Sequence, residues 1–268
     1  MPEESLVLAD SVTRLDNNTA AGKVVVTGSH GGIYAAYLAR QSLCRAAIFN
    51  DAGVGLDRAG IGGLAWLALQ GMAAAAIDHA SANIGDAAQM LAHGQVSHVN
   101  TVAQSLGVLP GMSCAAAADV MITADAPTKP CPEIREGREI LRPQGAVRDL
   151  ILVDSAGLVR PDDAGQVIAT GSHGALFGGN PANALKTEAF LALFNDAGGG
   201  AGTSRLPALD QRGIAAVTVA AASARIGDAR STWEDGLISA INTAAQRLGA
   251  QVGTPARELV YKAIKAPR

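Results

Sequence analysis

The sequence has few aromatic residues, few cysteines and no long apolar run. Aromatic residues make up 3% of the 268 residues although 49% are hydrophobic, so many small side chains must fill the core by packing closely. The three cysteines, Cys44, Cys114 and Cys131, are widely spaced and form no CxxC pair, which argues against a zinc or disulfide framework. No stretch of about eighteen apolar residues is present, so we expect no membrane helix.

Basic clusters and nucleotide-binding motifs are also missing. The net charge is −3, and no run of lysine and arginine alternates with aromatic residues, so nucleic acid is not expected as a partner. No P-loop is present, and no GxGxxG opens a helix after the first strand, which disfavours nucleotide-dependent chemistry. The opening MPEESLVLAD starts with two acids, Glu3 and Glu4, where a secretion signal needs basic residues, so we expect a cytoplasmic protein.

The sequence does contain an internal duplication. Five segments recur in the same order at an offset of 142 to 145 residues. The pairs are LVLADS and LILVDS, VVVTGSHGG and VIATGSHGA, IFNDAGVG and LFNDAGGG, SANIGD and SARIGD, and the Ser97/Asn100 and Ser239/Asn242 spacing. We therefore divide the chain into a first repeat at 1–127, a charged, proline-bearing linker at 128–148 and a second repeat at 149–268.

Short apolar runs that alternate with longer helical stretches are typical of a parallel α/β fold. We predict two pseudo-symmetric units, each with a mainly parallel sheet of about four strands flanked by helices. The predicted strands are 5–9, 23–27, 45–50, 73–78, 149–153, 166–170, 190–195 and 214–220. The predicted helices are 32–42, 60–70, 86–106, 174–188, 229–248 and 255–265, with a further helical stretch opened by Gly111.

The repeated polar motifs all follow predicted strands. In open parallel sheets ligands bind beyond the carboxyl ends of the strands, so we expect these motifs to meet at one edge. In the first copy this edge would carry Asp10, Ser29 and His30, Asn50 and Asp51, and then His79 and Ser81. This convergence is the main sequence argument for a site.

The TGSHGG loop supplies the clearest catalytic candidates, His30 and its counterpart His173. A neutral imidazole near pH 7 can act as a general base, and the glycine-rich loop offers N–H groups that favour an anion. The alternative is a histidine that only caps a helix or bonds a strand. The loop residues expected to bind substrate are Ser29, Gly31, Ser172 and Gly174.

The FNDAG and SAxIGD motifs supply the remaining candidates. Asp51 and Asp196 could orient the histidines, bind a metal or cap the following turn. Ser81 and Ser223 could attack or contact a substrate, although no GxSxG elbow surrounds them. Two further amides, Asn50 and Asn195, are expected to bind substrate.

The copies also differ at polar positions. His79, His93 and His98 occur only in the first copy, whereas Arg225 and Arg230 occur only in the second. Arg225 could hold a substrate carboxylate as a bidentate partner, or form a surface ion pair. The Ser97/Asn100 and Ser239/Asn242 pairs could reach into the site or join the two halves.

A histidine–glycine loop after one strand, followed by a polar turn after the next, resembles in part the caspase and legumain peptidases. Those peptidases place a catalytic cysteine in the second turn, whereas this turn reads FNDAG. The resemblance covers Val24 to Val54 and Val167 to Gly199. It concerns topology, and no peptidase activity is carried over.

These patterns favour an enzyme that acts on a small polar molecule bearing a carboxylate or an amide. We expect hydrolysis of a C–N bond or ring opening, with a histidine as general base, no cofactor and a homo-oligomeric assembly. One alternative is a non-catalytic ligand-binding or scaffold protein. Another is metal-assisted chemistry, with a divalent ion held by Asp10, His30 and Asp51.

Overall fold

The computed structural model describes residues 5–176 and 180–267. The chain forms two compact units. The first comprises Met1–Val54 and Arg58–Arg135, and the second comprises Gly55–Asp57 and Glu136–Arg268. Each unit is a mostly parallel sheet flanked by helices, as the sequence predicted.

The sheet of the first unit has five strands in chain order. Strands β1 to β4 are parallel, and β5 runs antiparallel to β4. The strands are β1 Leu6–Ala9, β2 Val24–His30, β3 Ala46–Asn50, β4 Ala73–Ile77 and β5 Val96–Val99. The α-helices are α1 Asn17–Ala20, α2 Ile33–Gln41, α3 Gly62–Leu69, α4 Ala87–His93, α5 Thr101–Ser105 and α6 Cys114–Met121.

Both faces of this sheet are covered, which explains its continuous apolar strands. One face packs against α2 and α3, and the other packs against α4 and α6. The strand β4 reads AAAAI and is fully buried, so the small side chains predicted for the core do lie at its centre. Trp66 of α3 packs edge-on against Tyr37 of α2, with ring centroids 6.4 Å apart.

The sheet of the second unit repeats this arrangement and adds a sixth strand at one edge. Strands β7 to β10 are parallel, and β6 and β11 are antiparallel edge strands. The strands are β6 Arg138–Leu141, β7 Leu150–Val153, β8 Val167–His173, β9 Leu191–Asn195, β10 Ala215–Val219 and β11 Ile238–Ile241. The α-helices are α7 Arg205–Gln211, α8 Ala229–Glu234, α9 Thr243–Arg247 and α10 Ala256–Lys265.

The core of the second unit also has two layers of apolar contacts. Leu150, Leu152 and their neighbours pack against α8 and α10, whereas Ile151, Val153 and Phe194 pack on the opposite face with α7. Trp233 of α8 is buried and lies edge-on to Tyr261 of α10, 6.3 Å between ring centroids. Strand β6 lies inside the charged stretch 128–148, so part of that stretch belongs to the second sheet.

All eight predicted strands are present, but two of the predicted helices were wrong. The ranges 86–106 and 229–248 each form a helix, an antiparallel strand and a second helix. The break comes at Gly94 and Gly236, where a Cβ would collide with a helix carbonyl and with Ile77 or Val219 of the adjacent strand. A glycine that packs this closely against the sheet ends the helix and lets the chain turn back.

The prediction of a helix at 174–188 was also wrong for the described part of that range. Residues 180–188 contain only the short 3₁₀ turn Pro181–Asn183, and residues 177–179 lie outside the described residues. Helix α7, which follows β9, was missed because its sequence RLPALDQ contains a proline. Among the described residues, no helix combines the length and the apolar character needed to cross a membrane.

Candidate functional site

The carboxyl ends of β2, β3 and β4 bring polar side chains of the first unit to one edge of the sheet. His30 ends β2 and is in register with Asn50 of β3. Asp51 follows Asn50, and its backbone N–H donates to Ile77 at the end of β4, two residues before His79. This is the edge at which ligands bind in parallel sheets, and the structure places these predicted residues there.

Asp51 and His79 form a close pair at this edge. His79 Nδ1 lies 3.0 Å from Asp51 Oδ1. The same oxygen accepts the backbone N–H groups of Gly53, at 2.9 Å, and of His79 itself, at 3.1 Å. The Asp51 side chain is only 5% exposed whereas that of His79 is 34% exposed, so a buried, well-anchored carboxylate orients an accessible imidazole.

This geometry determines which ring nitrogen of neutral His79 carries the proton. An ionised Asp51 accepts a hydrogen bond, so neutral His79 carries its proton on Nδ1 and keeps a lone pair on Nε2. Within the described residues, no hydrogen bond engages Nε2. The ring lies over Gly53, whose φ is +73° and where a Cβ would be 3.5 Å from Nε2. Glycine at this position therefore adopts the positive φ of the turn without strain and leaves room for the imidazole.

A second carboxylate stands beside the pair. Asp78 Oδ1 lies 3.4 Å from His79 Nδ1 and accepts the N–H of Ala80 at 2.8 Å. Ligand atoms of Asp51, Asp78 and His79 all lie within 4.8 Å of one another. Mixed carboxylate and imidazole ligands suit several divalent transition metals, so these three residues could hold such an ion. In the described ranges, Asp10 and His30 do not join this group.

The described part of the second unit has no such arrangement at the equivalent edge. Ala220 and Ala221 stand where the first copy has Asp78 and His79. Asp196 keeps the position of Asp51. Where Asp51 Oδ1 contacts the N–H and the ring of His79, Asp196 Oδ1 accepts the backbone N–H of Ala221 at 2.7 Å. The two copies thus share a carboxylate anchor, and only the first copy adds an imidazole to it.

His30 and His173 are held in a different way from His79. Nδ1 of His30 accepts the N–H of Gly32 at 3.1 Å, and Nδ1 of His173 accepts the N–H of Ala175 at 3.2 Å. Each ring therefore caps the start of the segment that follows its loop. Burial of the His30 ring disfavours its charged form and lowers its pKa to about 4.

The glycine-rich loops do not offer all the anion-binding N–H groups that the sequence suggested. The N–H of Gly31 donates to Asn50 O at 3.0 Å, and the N–H of Gly174 donates to Asn195 O at 2.8 Å. Gly31 and Gly174 instead allow close packing, since a Cβ at either position would touch neighbouring atoms at 2.9 Å or less. These two glycines therefore let neighbouring segments of the chain approach each other closely.

Several other candidates have side chains that the backbone already engages. Ser29 Oγ accepts the N–H of Val12, and Ser172 Oγ accepts the N–H of Ala156, both at 2.9 Å. The hydroxyls of Ser81 and Ser223 each donate to the carbonyl three residues earlier and accept a backbone N–H at 2.9 Å. A nucleophile needs an available hydroxyl beside a base, and these contacts favour a structural role.

Asn50 and Asn195 are fully buried, and the backbone engages both ends of each amide. Asn50 donates to Ala82 O at 3.0 Å and accepts the N–H of Ala52 at 2.9 Å. Asn195 makes the same two contacts, with Ala224 O and Ala197 N, both at 2.9 Å. These amides connect the strand-end turn to the next loop, so the repeat preserves a structural contact here.

Arg225 is held by carboxylates of its own unit. Its guanidinium pairs with Asp57 at 3.0 Å, Asp228 at 3.2 Å and Asp235 at 3.5 Å. The hydrogen bonds to Asp57 and then to Asp228 raise its pKa. A substrate carboxylate would have to compete with three existing partners, so the geometry favours the ion-pair interpretation of this residue.

Sequence reasoning placed His79 at the site edge but did not pair it with Asp51, and it did not single out Asp78. The signal was the Asp–His dipeptide directly after the buried run AAAAI, at a position where the other copy has two alanines. The comparisons with known proteins add no family to this description. No protein-family model matches the chain, and no curated protein or solved structure shows significant similarity to it.

Proposed function

We propose that the first unit is a hydrolytic site in which His79, oriented by Asp51, activates a water molecule for attack on a small polar amide. The observation that carries this proposal is the 3.0 Å contact between His79 Nδ1 and the buried Asp51 carboxylate. A buried carboxylate keeps the imidazole in the required tautomer and stabilises the imidazolium that forms when Nε2 takes a proton.

Water is the nucleophile in this proposal. The hydroxyl of Ser81, two residues beyond His79, is engaged by Asp78 O and by the N–H of Gln95. Cys44 and Cys114 are buried in the core. Water would lose its proton to His79 Nε2 and attack the carbonyl carbon, and the imidazolium would then protonate the leaving nitrogen. Cleavage of a C–N bond or opening of a cyclic amide follows from this sequence of proton transfers.

The test is turnover of a panel of small amides, imides and lactams by the wild type and by two variants. We expect His79→Gln to lower kcat by roughly 10²–10⁴-fold, the usual contribution of a general base. We expect a comparable loss for Asp51→Asn, which keeps an oxygen to accept the N–H groups but favours the wrong tautomer. His98→Gln is the matched control because His98 lies on β5 and bonds Ser97 Oγ, and it should keep wild-type turnover.

The acid limb of the pH–rate profile gives the sharper readout. In the wild type it reports protonation of the essential base, and it should vanish from any residual activity of His79→Gln. Full turnover by His79→Gln would contradict the proposal, and full turnover by Asp51→Asn would contradict the orienting role of that carboxylate.

A metal-assisted hydrolase is the second candidate, because Asp78 stands beside the pair. Here Asp51, Asp78 and His79 would hold a divalent ion that activates water as a Lewis acid. Asp78→Asn separates the two candidates. It should leave turnover within about threefold if His79 is the base, because an exposed carboxylate contributes little. It should abolish both turnover and Zn²⁺ or Mn²⁺ binding, measured by calorimetry, if the metal is essential.

The other functional expectations stay predictions. They are a small-molecule substrate, a homo-oligomeric state and a cytoplasmic location. The oligomeric state is accessible by light scattering of the purified protein.

A further inference from the structure

We infer that His30 is the hydrogen-bond donor for the substrate carbonyl oxygen, acting as a neutral imidazole with its proton on Nε2. This inference rests on the proposed function, in which His79 supplies the base. It assigns opposite tasks to the two histidines at this edge of the sheet. The ligand class it implies is a small molecule with an amide or carboxylate oxygen that can accept from an N–H group.

The tautomer of His30 follows from its contact with the loop. Nδ1 lies 3.1 Å from the N–H of Gly32, which can only donate. Nδ1 must therefore present its lone pair, and the single proton of the neutral ring is on Nε2. His79 has the reverse arrangement, since its Nδ1 faces the carboxylate of Asp51 at 3.0 Å. One ring can accept a proton at Nε2, and the other can donate a hydrogen bond from Nε2.

The surroundings of His30 also keep it neutral. The ring is partly buried, and desolvation lowers its pKa to about 4, so at pH 7 it is uncharged. A neutral ring whose only lone pair is engaged by a backbone N–H is a poor base. It is a suitable donor, because a fixed N–H near a developing oxyanion needs no reorganisation during the reaction.

The two glycine N–H groups that follow His30 in the loop already have acceptors. The N–H of Gly31 is engaged by Asn50 O, and the N–H of Gly32 is engaged by His30 itself. The two backbone donors that the TGSHGG motif would offer to an oxyanion are thus occupied. In this inference the Nε2–H of His30 takes their place as the donor to the oxyanion.

The positions of the two histidines fit one small substrate. His30 ends β2 and His79 follows β4, with β3 between them. Neighbouring strands are about 4.8 Å apart, so the two backbones are separated by roughly 10 Å. The side chains of the two residues and a carbonyl group with its attacking water can fill such a span.

The first experiment requires no turnover. Long-range ¹H–¹⁵N NMR of the wild type between pH 5 and 8 identifies the protonated nitrogen of each histidine, and His30→Gln assigns the His30 signals. We expect His30 to keep its proton on Nε2 throughout and not to titrate in this range. Acetamide and acetate, as minimal amide and carboxylate probes, should each shift the Nε2 proton resonance in a saturable way. A proton on Nδ1, titration within this range, or no shift with either probe would overturn the inference.

The second experiment uses two variants that separate donor from acceptor. In His30→Asn, the side-chain oxygen can still accept the N–H of Gly32 but no donor reaches the Nε2 position. In His30→Gln, the side-chain amide places an N–H donor near that position. We expect kcat of the asparagine variant to fall by roughly 10²–10³-fold, the loss typical of a removed oxyanion donor. The glutamine variant should stay within about tenfold of the wild type.

Equal activity of the two His30 variants would show that His30 does not act as a donor. The NMR result separates this failure from a failure of the proposed function. If His79→Gln keeps full turnover while acetamide still shifts the His30 Nε2 proton, the base assignment is wrong and the donor assignment stands.

Discussion

At the scale of single residues, the local contact of one ring nitrogen decides what each histidine can do. His30 and His79 have the same side chain and lie at the same edge of one sheet. A backbone N–H occupies Nδ1 of His30, whereas a carboxylate occupies Nδ1 of His79. The sequence predicted a general base at position 30, with helix capping as the alternative, but the group that contacts the ring determines whether it can accept a proton.

The lowered pKa of His30 predicts a pH-dependent stability. The unfolded histidine titrates near 6.5 and the folded one at about 4, so between these values the unfolded state binds more protons. The free energy of unfolding should therefore fall as the pH drops from about 6.5 to about 4, by at most roughly 1.4 kcal/mol per pH unit from this group. Above that range His30 contributes no pH dependence.

Urea unfolding of the wild type and of His30→Gln at several pH values between 4.5 and 7 measures this contribution. The variant should show a shallower loss of stability on acidification, and His98→Gln provides the comparison for a histidine elsewhere in the unit. Parallel curves for the wild type and His30→Gln would contradict the assignment of a buried, neutral ring.

The candidate site was partly predictable at this scale. The repeated motifs pointed to His30, to Asp51 and to the carboxyl edge of the sheet, where the structure places both residues. The same repetition also selected Asn50, Ser81 and their counterparts, whose side chains bond the backbone. A polar residue that is present in both copies has a role that the two units share. The sequence pattern does not distinguish a structural hydrogen bond from ligand binding.

At the scale of secondary-structure elements, two asparagines show how the fold is held together. Asn100 caps α5 and accepts the N–H groups of Ala74 and Ala103, at 3.1 and 2.9 Å. Its amide also donates to Leu64 O at 3.1 Å and Met72 O at 2.8 Å. Asn242 makes the four equivalent contacts in the second unit. Each side chain therefore links a helix start to strand β4 or β10 and to helix α3 or α7.

We predict that Asn100→Ala and Asn242→Ala each destabilise the protein by about 3 kcal/mol. The reason is that four backbone groups in a buried setting lose their partner, and an unsatisfied buried group is costly. Denaturation followed by circular dichroism measures the change. Asn83→Ala, at an exposed position, is the control and should stay within about 0.5 kcal/mol of the wild type.

These asparagines also explain which elements the sequence could not predict. The apolar strands and the helices α2, α3 and α10 follow from local patterns. Strands β5 and β11 do not, because each lies between two short helices that together look like one long amphipathic stretch. The contacts that separate these pieces, at Gly94 and Asn100, join residues that are distant in sequence.

At the scale of the whole molecule, the duplicated chain forms two similar units that carry different side chains at the equivalent edge of each sheet. The first has Asp51 with Asp78 and His79, and the second has Asp196 with Ala220 and Ala221. The fold class and the repeat were predictable because both depend on patterns that recur along the chain. The proposal that the first copy holds the hydrolytic site depends on the contact between Asp51 and His79, which the sequence did not reveal.

We predict one hydrolytic site per chain. Asp51→Asn should lower kcat by roughly 10²–10⁴-fold for any amide that the wild type cleaves, whereas Asp196→Asn should leave kcat within about threefold, since alanine stands at position 221 where the first copy has His79. Calorimetric titration with a competitive inhibitor should give one equivalent per chain. Two equivalents, or a large loss of turnover in Asp196→Asn, would show that the second unit takes part in the reaction.

The scarcity of aromatic residues has a practical consequence for such experiments. The chain contains two tryptophans, Trp66 in the first unit and Trp233 in the second. Trp66→Phe and Trp233→Phe would each leave a single fluorophore, so emission from one variant reports on one half of the molecule. Unfolding of the asparagine variants, followed in these two backgrounds, would show whether the halves melt together or in succession.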